Sequence, residues 1–233
     1  SFLTARSLEQ IKNDIAYSDH PVTLVGISAG ISYGQLGSTH HSIHDLAVLR
    51  AIHNIEIVVP ADNHETREVI KQAVDYPRPL FIRFGKKPML KIHDENQRFT
   101  IGKAIEINKG EDITFLAIGE TVPRAYLASQ ILEKDNISCS VISMHTLKPF
   151  DEDIFLKSIL TTKTLITLEE HSVSGGIGEK CASIILQKGL NILTRIIGIP
   201  DEYIVNGSQA DVLDYYDMEP NKLALIAKKL INK

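Results

Sequence analysis

Short, continuous apolar runs recur along the chain with helical stretches between them, and this alternation constrains the fold more than any other feature. Residues 22–26 read Val-Thr-Leu-Val-Gly, residues 55–59 read Ile-Glu-Ile-Val-Val and stop at Pro60, and residues 79–84 read Pro-Leu-Phe-Ile-Arg-Phe. The stretches between them predict helices from residue 3 to about 17, from 42 to 51 and from 62 to about 74. Asp62, with Glu65 three residues on, has the spacing of a capping box at the start of the last one. Apolar strands separated by helices predict a parallel sheet covered on both faces, because each crossover lays a helix on one side.

The rhythm lapses between Gly85 and Thr100, where the polar stretch His93-Asp94-Glu95-Asn96-Gln97-Arg98 reads as linker. A second series follows, with strands expected over 113–118, 139–143, 164–168 and 193–198, and helices over 122–133, 151–160, 178–188 and 221–231. The expectation is an α/β protein of two doubly wound domains, residues 1–88 and 101–233, joined by a linker at 89–100. A chain of 233 residues can bury both cores.

Composition narrows the partners. There are 25 Lys and Arg against 29 Asp and Glu, a formal charge of −4, and no basic run long enough to follow a phosphate backbone, so nucleic acid is not expected. The one basic cluster, Lys222, Lys228, Lys229 and Lys233, falls in the last helix, where cations near the C-terminus oppose the dipole favourably. Cys139 and Cys181 lie in an expected strand and an expected helix, and read as small core residues of a reducing compartment. No apolar run approaches the ~20 residues of a membrane span, and the first residues lack a signal peptide's plan. The expected location is the cytoplasm, with no membrane partner.

The candidate site is the turn Gly34-Gln35-Leu36-Gly37-Ser38-Thr39-His40-His41, between the first strand and the next helix. Its two glycines let the backbone turn tightly and approach a ligand. His40, at its end, can exchange a proton or hydrogen-bond a sugar hydroxyl or a developing oxyanion. A histidine that merely caps the following helix is the alternative. His40 and His44 stand one helical turn apart, but zinc would ask for two further ligands at fixed spacing, and neither a His-Glu-x-x-His pattern nor a paired Cys set is present. Ser28, Arg83 and Lys86 follow strand ends on the same rim, where either cation can reach a phosphate or simply be surface charge. The turn from Ser172 to Glu179 holds three glycines and can cradle a phosphate, although close helix-to-sheet packing is the favoured reading. Glu169-Glu170-His171 reads as an interface or packing feature, with two carboxylates and a base as the alternative.

Taken in order, several segments resemble the C-terminal part of transketolase over nearly the whole chain. They are Phe2-Leu3-Thr4-Ala5-Arg6-Ser7-Leu8-Glu9-Gln10, the Gly34-to-His41 turn, Leu49-Arg50-Ala51-Ile52, Pro60-Ala61-Asp62, Met144-His145-Thr146-Leu147-Lys148-Pro149, and Glu169-Glu170-His171 through Gly178. The likeness is to the split type, whose subunits separate the diphosphate-binding from the pyrimidine-binding domain, and deoxyxylulose-phosphate synthase is a similar relative. It implies a thiamine diphosphate enzyme that moves a two-carbon ketol unit between sugar phosphates. Residues 1–88 would then be the pyrimidine-binding domain and 101–233 the family's C-terminal domain.

On this resemblance Phe2 packs on the aminopyrimidine ring and His40 is the catalytic histidine at the donor ketose. Ser28, His41, Arg83 and Lys86 contact substrate, Lys86 taking the sugar phosphate with Arg83 as the competing assignment. Ser28 stands where transketolases often carry a histidine, and Leu36 where an aspartate reads a sugar hydroxyl. The cofactor-activating glutamate of the family has no counterpart, and the ligands of magnesium and of the diphosphate belong to another domain. The expectation is a fragment of a C-terminal subunit, inactive alone, that needs a diphosphate-binding subunit and forms a homo-oligomer. A synthase or 2-oxoacid dehydrogenase β subunit, or a non-catalytic module that only dimerises, are the competing readings.

Overall fold

The computed structural model describes residues 1–231, so Lys233 of the basic cluster lies outside the described residues. The chain opens with α1 (Phe2–Arg6) and α2 (Leu8–Gln10) and continues as a wider helical turn over Ile11–Tyr17. Then come β1 (Thr23–Gly26), α3 (Asp45–Ala51), β2 (Glu56–Val58), α4 (Asn63–Ala73) and β3 (Leu80–Arg83). Residues 84–104 hold no helix or strand. The second series is β4 (Ile105–Asn108), β5 (Ile113–Ala117), α5 (Val122–Glu133), β6 (Cys139–Ser143), β7 (Thr146–Lys148), α6 (Glu152–Thr162) and β8 (Thr164–Ser172), followed by α7 (Ile177–Gln187), β9 (Leu193–Ile199), α8 (Gln209–Tyr215) and α9 (Pro220–Ile231).

The central strands β5 and β6 are buried along their whole length, as is β8 up to its last residue, which is what continuous apolar runs between two helical layers require. Both sheets are mixed, however, and not wholly parallel. The first has the order β1-β3-β2-β7 and the second β4-β6-β5-β8-β9. In each, one edge strand runs antiparallel: β7 against β2, and β4 against β6. The reason for β7 lies in its connection. Only two residues separate it from β6, which already has β4 on one side and β5 on the other, so the chain turns out of the second sheet and pairs with the first.

That exchange joins the halves. On one face of the second sheet, Phe115, Val141, Ile166 and Ile197 meet α5, α8 and α9. On the other, Leu116, Ile142 and Leu165 meet α6 and α7 in a cluster that continues through Leu147 into Leu46, Leu49, Ile57 and Phe81 of the first half. Both cysteines are buried and free.

The polar stretch read as a linker is strapped down. His93 and Phe99 are buried, and one Asp62 carboxylate oxygen accepts from the Ile92 N–H, the His93 N–H and the His93 ring, each at 3.1 Å. Asp62 also caps α4 by accepting the Glu65 N–H at 3.0 Å. The capping box is half made, because the Glu65 carboxylate turns to the Ala61 N–H and the Ser143 hydroxyl, both at 2.6 Å, and so ties α4 to β6. Burial pushes the Glu65 carboxyl up to about 7.

Candidate active site

Four side chains stand in line at the end of the first sheet. Phe2 on α1 is 51% exposed, and its ring meets that of His40 edge-on with centroids 5.3 Å apart. Tyr33 meets His40 at 5.8 Å, and the Lys86 ammonium sits 3.9 Å above the Tyr33 ring. Beside them is a cavity of about 240 Å³ whose walls include Phe2, Val25, Ile27, Tyr33 and His40. The Thr39 hydroxyl lies 3.0 Å from His40 Nδ1 and orients the ring, leaving Nε2 as the nitrogen open to a ligand.

Other expected site residues are placed differently. His41 is 1% exposed and points into the turn, where its Nε2–H donates to the Gly34 carbonyl at 3.3 Å. Burial holds its pKa below the usual histidine range, so it braces the turn as a neutral ring. Ser28 is buried in a left-handed conformation (φ 66°), and its hydroxyl has no partner. Arg83 borders the cavity but is 3% exposed, and two of its three guanidinium nitrogens are engaged inside the protein. Nε and Nη2 grip the two Asp45 oxygens at 2.8 and 3.2 Å, and Nη2 also donates to the carbonyls of Ser42 (2.7 Å) and Glu170 (3.1 Å). Burial alone would raise the Asp45 carboxyl, yet the adjacent guanidinium holds it below the carboxylate range. Of the two cations considered for a phosphate, Lys86 is therefore the exposed one, because Asp45 at the start of α3 faces Arg83.

The glycines of the turn admit protein, not only a ligand. A Cβ on Gly34 would lie 2.3 Å from the Gly207 carbonyl, and one on Gly30 2.4 Å from Glu170 Cγ. Gly37, at φ 72°, lies against the Asn206 amide. All three contacts come from the second half of the chain. The glycine-rich turn before α7 likewise cradles a carboxylate of this same chain: Glu169 accepts the N–H groups of Ile177 (2.8 Å) and Gly178 (3.0 Å). Burial pushes Glu169 up to about 7. His171 donates from Nδ1 to the Ser172 carbonyl at 2.7 Å and accepts the Ala47 N–H at Nε2, and burial lowers its pKa to about 4. His171 thus packs the join between the halves, while Glu169 anchors the start of α7. Among the described residues no three His, Cys, Asp or Glu side chains gather in a way that could hold a metal ion.

Two family models divide the chain between them: the transketolase pyrimidine binding domain matches residues 1–90, and the transketolase C-terminal domain matches residues 102–223. The chain belongs to the transketolase family. Its relatives include an apulose-4-phosphate transketolase subunit of Phocaeicola vulgatus, 39% identical over all 233 residues and 74% covered by this chain. The 6-deoxy-6-sulfo-D-fructose transketolase subunit SqwH of a Clostridium species is 32% identical, with 99% of this chain spanning 69% of it. The 1-deoxy-D-xylulose-5-phosphate synthase of Heliobacterium modesticaldum is 30% identical, but this transketolase chain spans only 35% of it. Among solved structures, a split gene transketolase described as an inactive beta4 tetramer matches with a TM-score of 0.91 at 28% identity, over 99% of this chain and 74% of that one. A Pichia stipitis transketolase mutant shares the fold, with a TM-score of 0.76 at 20% identity over 99% of this chain and 33% of that one.

Sequence reasoning missed two residues at this candidate site, Tyr33 and Asp45, and one that stands behind it, Gln209. Asp45 carries the commonplace signature of an acidic first turn, and Gln209 is remote in sequence from everything it touches.

Proposed function

We propose that this chain is the subunit of a split transketolase that carries the pyrimidine-binding and C-terminal domains. With a diphosphate-binding partner subunit it moves a two-carbon ketol unit between sugar phosphates. The observation that carries this reading is the row of Phe2, His40, Tyr33 and Lys86, of which the first three line one cavity and Lys86 stands just beyond it over the Tyr33 ring. An exposed flat ring beside the apolar side chains of Val25 and Ile27 suits a planar aromatic such as the aminopyrimidine of thiamine diphosphate. When bound, that cofactor supplies the nucleophilic carbon of ketol transfer. Phe2 packs on its ring, His40 Nε2 holds or moves a proton at a hydroxyl of the donor ketose, and the exposed Lys86 ammonium takes the sugar phosphate. Magnesium and the diphosphate are held by the partner.

Among the described residues no helix is long and apolar enough to cross a membrane. Assembly in the cytoplasm, as a homo-oligomer of such subunit pairs, belongs to the same proposal.

The test is reconstitution. The full-length subunit is combined with its diphosphate-binding partner, thiamine diphosphate and magnesium, and assayed for ketol transfer over a panel of sugar phosphates. His40→Ala is expected to lower kcat by about 10²- to 10⁴-fold, the usual range for a lost acid–base group, with cofactor binding retained. Full activity of that variant would refute the proposal, and turnover of pyruvate in place of a ketose donor would favour the synthase reading.

A further inference from the structure

Two loops carry the candidate residues beside the cavity, and neither is regular enough to position itself. The loop after β1 carries Tyr33 and His40, with a single short turn at Gly34–Leu36, and the loop after β3 carries Lys86. Each is braced from the second half of the chain by a carboxylate. Glu170, at the end of β8, is fully buried and accepts the Ile31 N–H at 2.8 Å, while its side chain fills the space a Cβ on Gly30 would need. Glu120, just after β5, presses on Gly85, where a Cβ would lie 1.4 Å from Oε1, and that oxygen is buried without a partner.

Between these carboxylates sits the amide of Gln209, the first residue of α8 and 6% exposed. Its Nε2 donates to Glu120 Oε2 at 2.7 Å and to Glu170 Oε1 at 3.0 Å. A primary amide has two N–H groups, one for each carboxylate, and carries no charge of its own. Two carboxylates this close, Glu170 buried and Glu120 half-buried, repel, and a donor shared between them offsets part of that cost.

We propose that Gln209 is a positioning residue that, through Glu170 and Glu120, sets the spacing between the His40 loop and the Lys86 loop. The spacing decides how far from the ketol end a phosphate is accepted, which makes a residue of the C-terminal domain a determinant of substrate length. The inference rests on the reading above in which His40 meets the ketose and Lys86 the phosphate. The two loops touch directly where the Ala29 N–H donates to the Phe84 carbonyl at 3.0 Å and, further out, where the Lys86 ammonium lies over the Tyr33 ring, and the outer contact depends on their register.

The test uses the assembled enzyme and two substrates, a ketose phosphate it turns over and the same ketose without phosphate. Gln209→Met keeps the side-chain volume and removes both donors. It is expected to raise KM for the phosphorylated substrate about tenfold, the loss of one charge-assisted hydrogen bond's worth of alignment, with kcat and the unphosphorylated KM within about twofold. An unchanged ratio of the two KM values would overturn the proposal, as would an equal fall in kcat for both substrates with a lowered melting temperature, the mark of a merely structural role. If that variant does not assemble, Glu120→Ala frees the Lys86 loop alone and is read by the same ratio. Lys86→Ala and His40→Ala run alongside: if neither alters turnover, it is the functional reading that fails, and if both do while Gln209→Met keeps the wild-type ratio, it is the positioning.

Discussion

Arg83, Asp45 and His171 sit in one buried layer where the loop after β1 meets the second half of the chain, and each holds its protonation state for a different reason. Arg83 and Asp45 stay charged because each neutralises the other and Nη2 also finds the Ser42 and Glu170 carbonyls. His171 stays neutral because burial disfavours its cation, the nearby Arg83 charge adds to that, and its two nitrogens already have a carbonyl acceptor and an N–H donor. Its pKa is lowered to about 4, so an unfolded chain binds a proton near pH 6.5 that the native state refuses. The stability tied to His171 is therefore present above pH 6.5 and lost as the pH falls from there towards 4. Glu65, Glu169 and Glu170, each raised to about 7, act in the opposite sense, because their native forms keep protons that the unfolded chain has released. Comparison with His171→Gln isolates the histidine: urea unfolding at pH 7 and pH 4 should show the stability advantage of the wild type shrinking by up to about 3 kcal/mol on acidification. A constant difference across that range would show that the imidazole is not held neutral.

At the scale of elements, α7 illustrates how a glycine-rich turn can serve the fold. Gly176 has to be glycine because a Cβ there would lie 1.8 Å from Glu169 Oε2. The close approach lets that carboxylate accept two of the N–H groups that a helix leaves unpaired at its start. The Arg50 side chain reaches the Gly176 carbonyl from α3 and closes the turn from the other side. Glu169→Ala leaves both N–H groups buried and without their acceptor, a cost of about 2–3 kcal/mol. Chemical denaturation should show that loss, and amide hydrogen exchange should quicken first at Ile177 and Gly178. Unchanged exchange at those two amides would mean that the carboxylate is not what holds the helix start.

For the whole molecule, β7 and the strapped segment 84–104 make the two halves one unit. Leu147, 1% exposed, stands on a strand that follows β6 in sequence but pairs with β2 of the other sheet. The hydrophobic cluster around it draws on both sheets, and the contacts of Asp62 and Glu65 with His93 and Ser143 cross the same boundary. Calorimetry should accordingly give one cooperative transition. Leu147→Ala should lower its midpoint through a loss of about 2–5 kcal/mol, without splitting it. Two separate transitions in the wild type would show that the shared core does not couple the halves.

Much of this was legible in the linear chain, because it rests on short-range rules. Continuous apolar runs marked β1, β2, β3, β5, β6, β8 and β9, and helical periodicity marked the helices, α5 to the residue. Strands β4 and β7 and helix α8 escaped because they are short, and because edge strands owe their pairing to a partner elsewhere in the chain. His40 stood out from its glycine-flanked turn, and Phe2 and Lys86 from the order of motifs. The sequence by itself determined which residues can do chemistry and which segments alternate. Tertiary structure alone decided which of them are free to do it: Arg83 is taken by Asp45, His41 by Gly34, and the site glycines by Glu170, Gly207 and Asn206. Those partners lie from 7 to 173 positions away along the chain, and the interactions depend on distance in space, which local pattern does not encode.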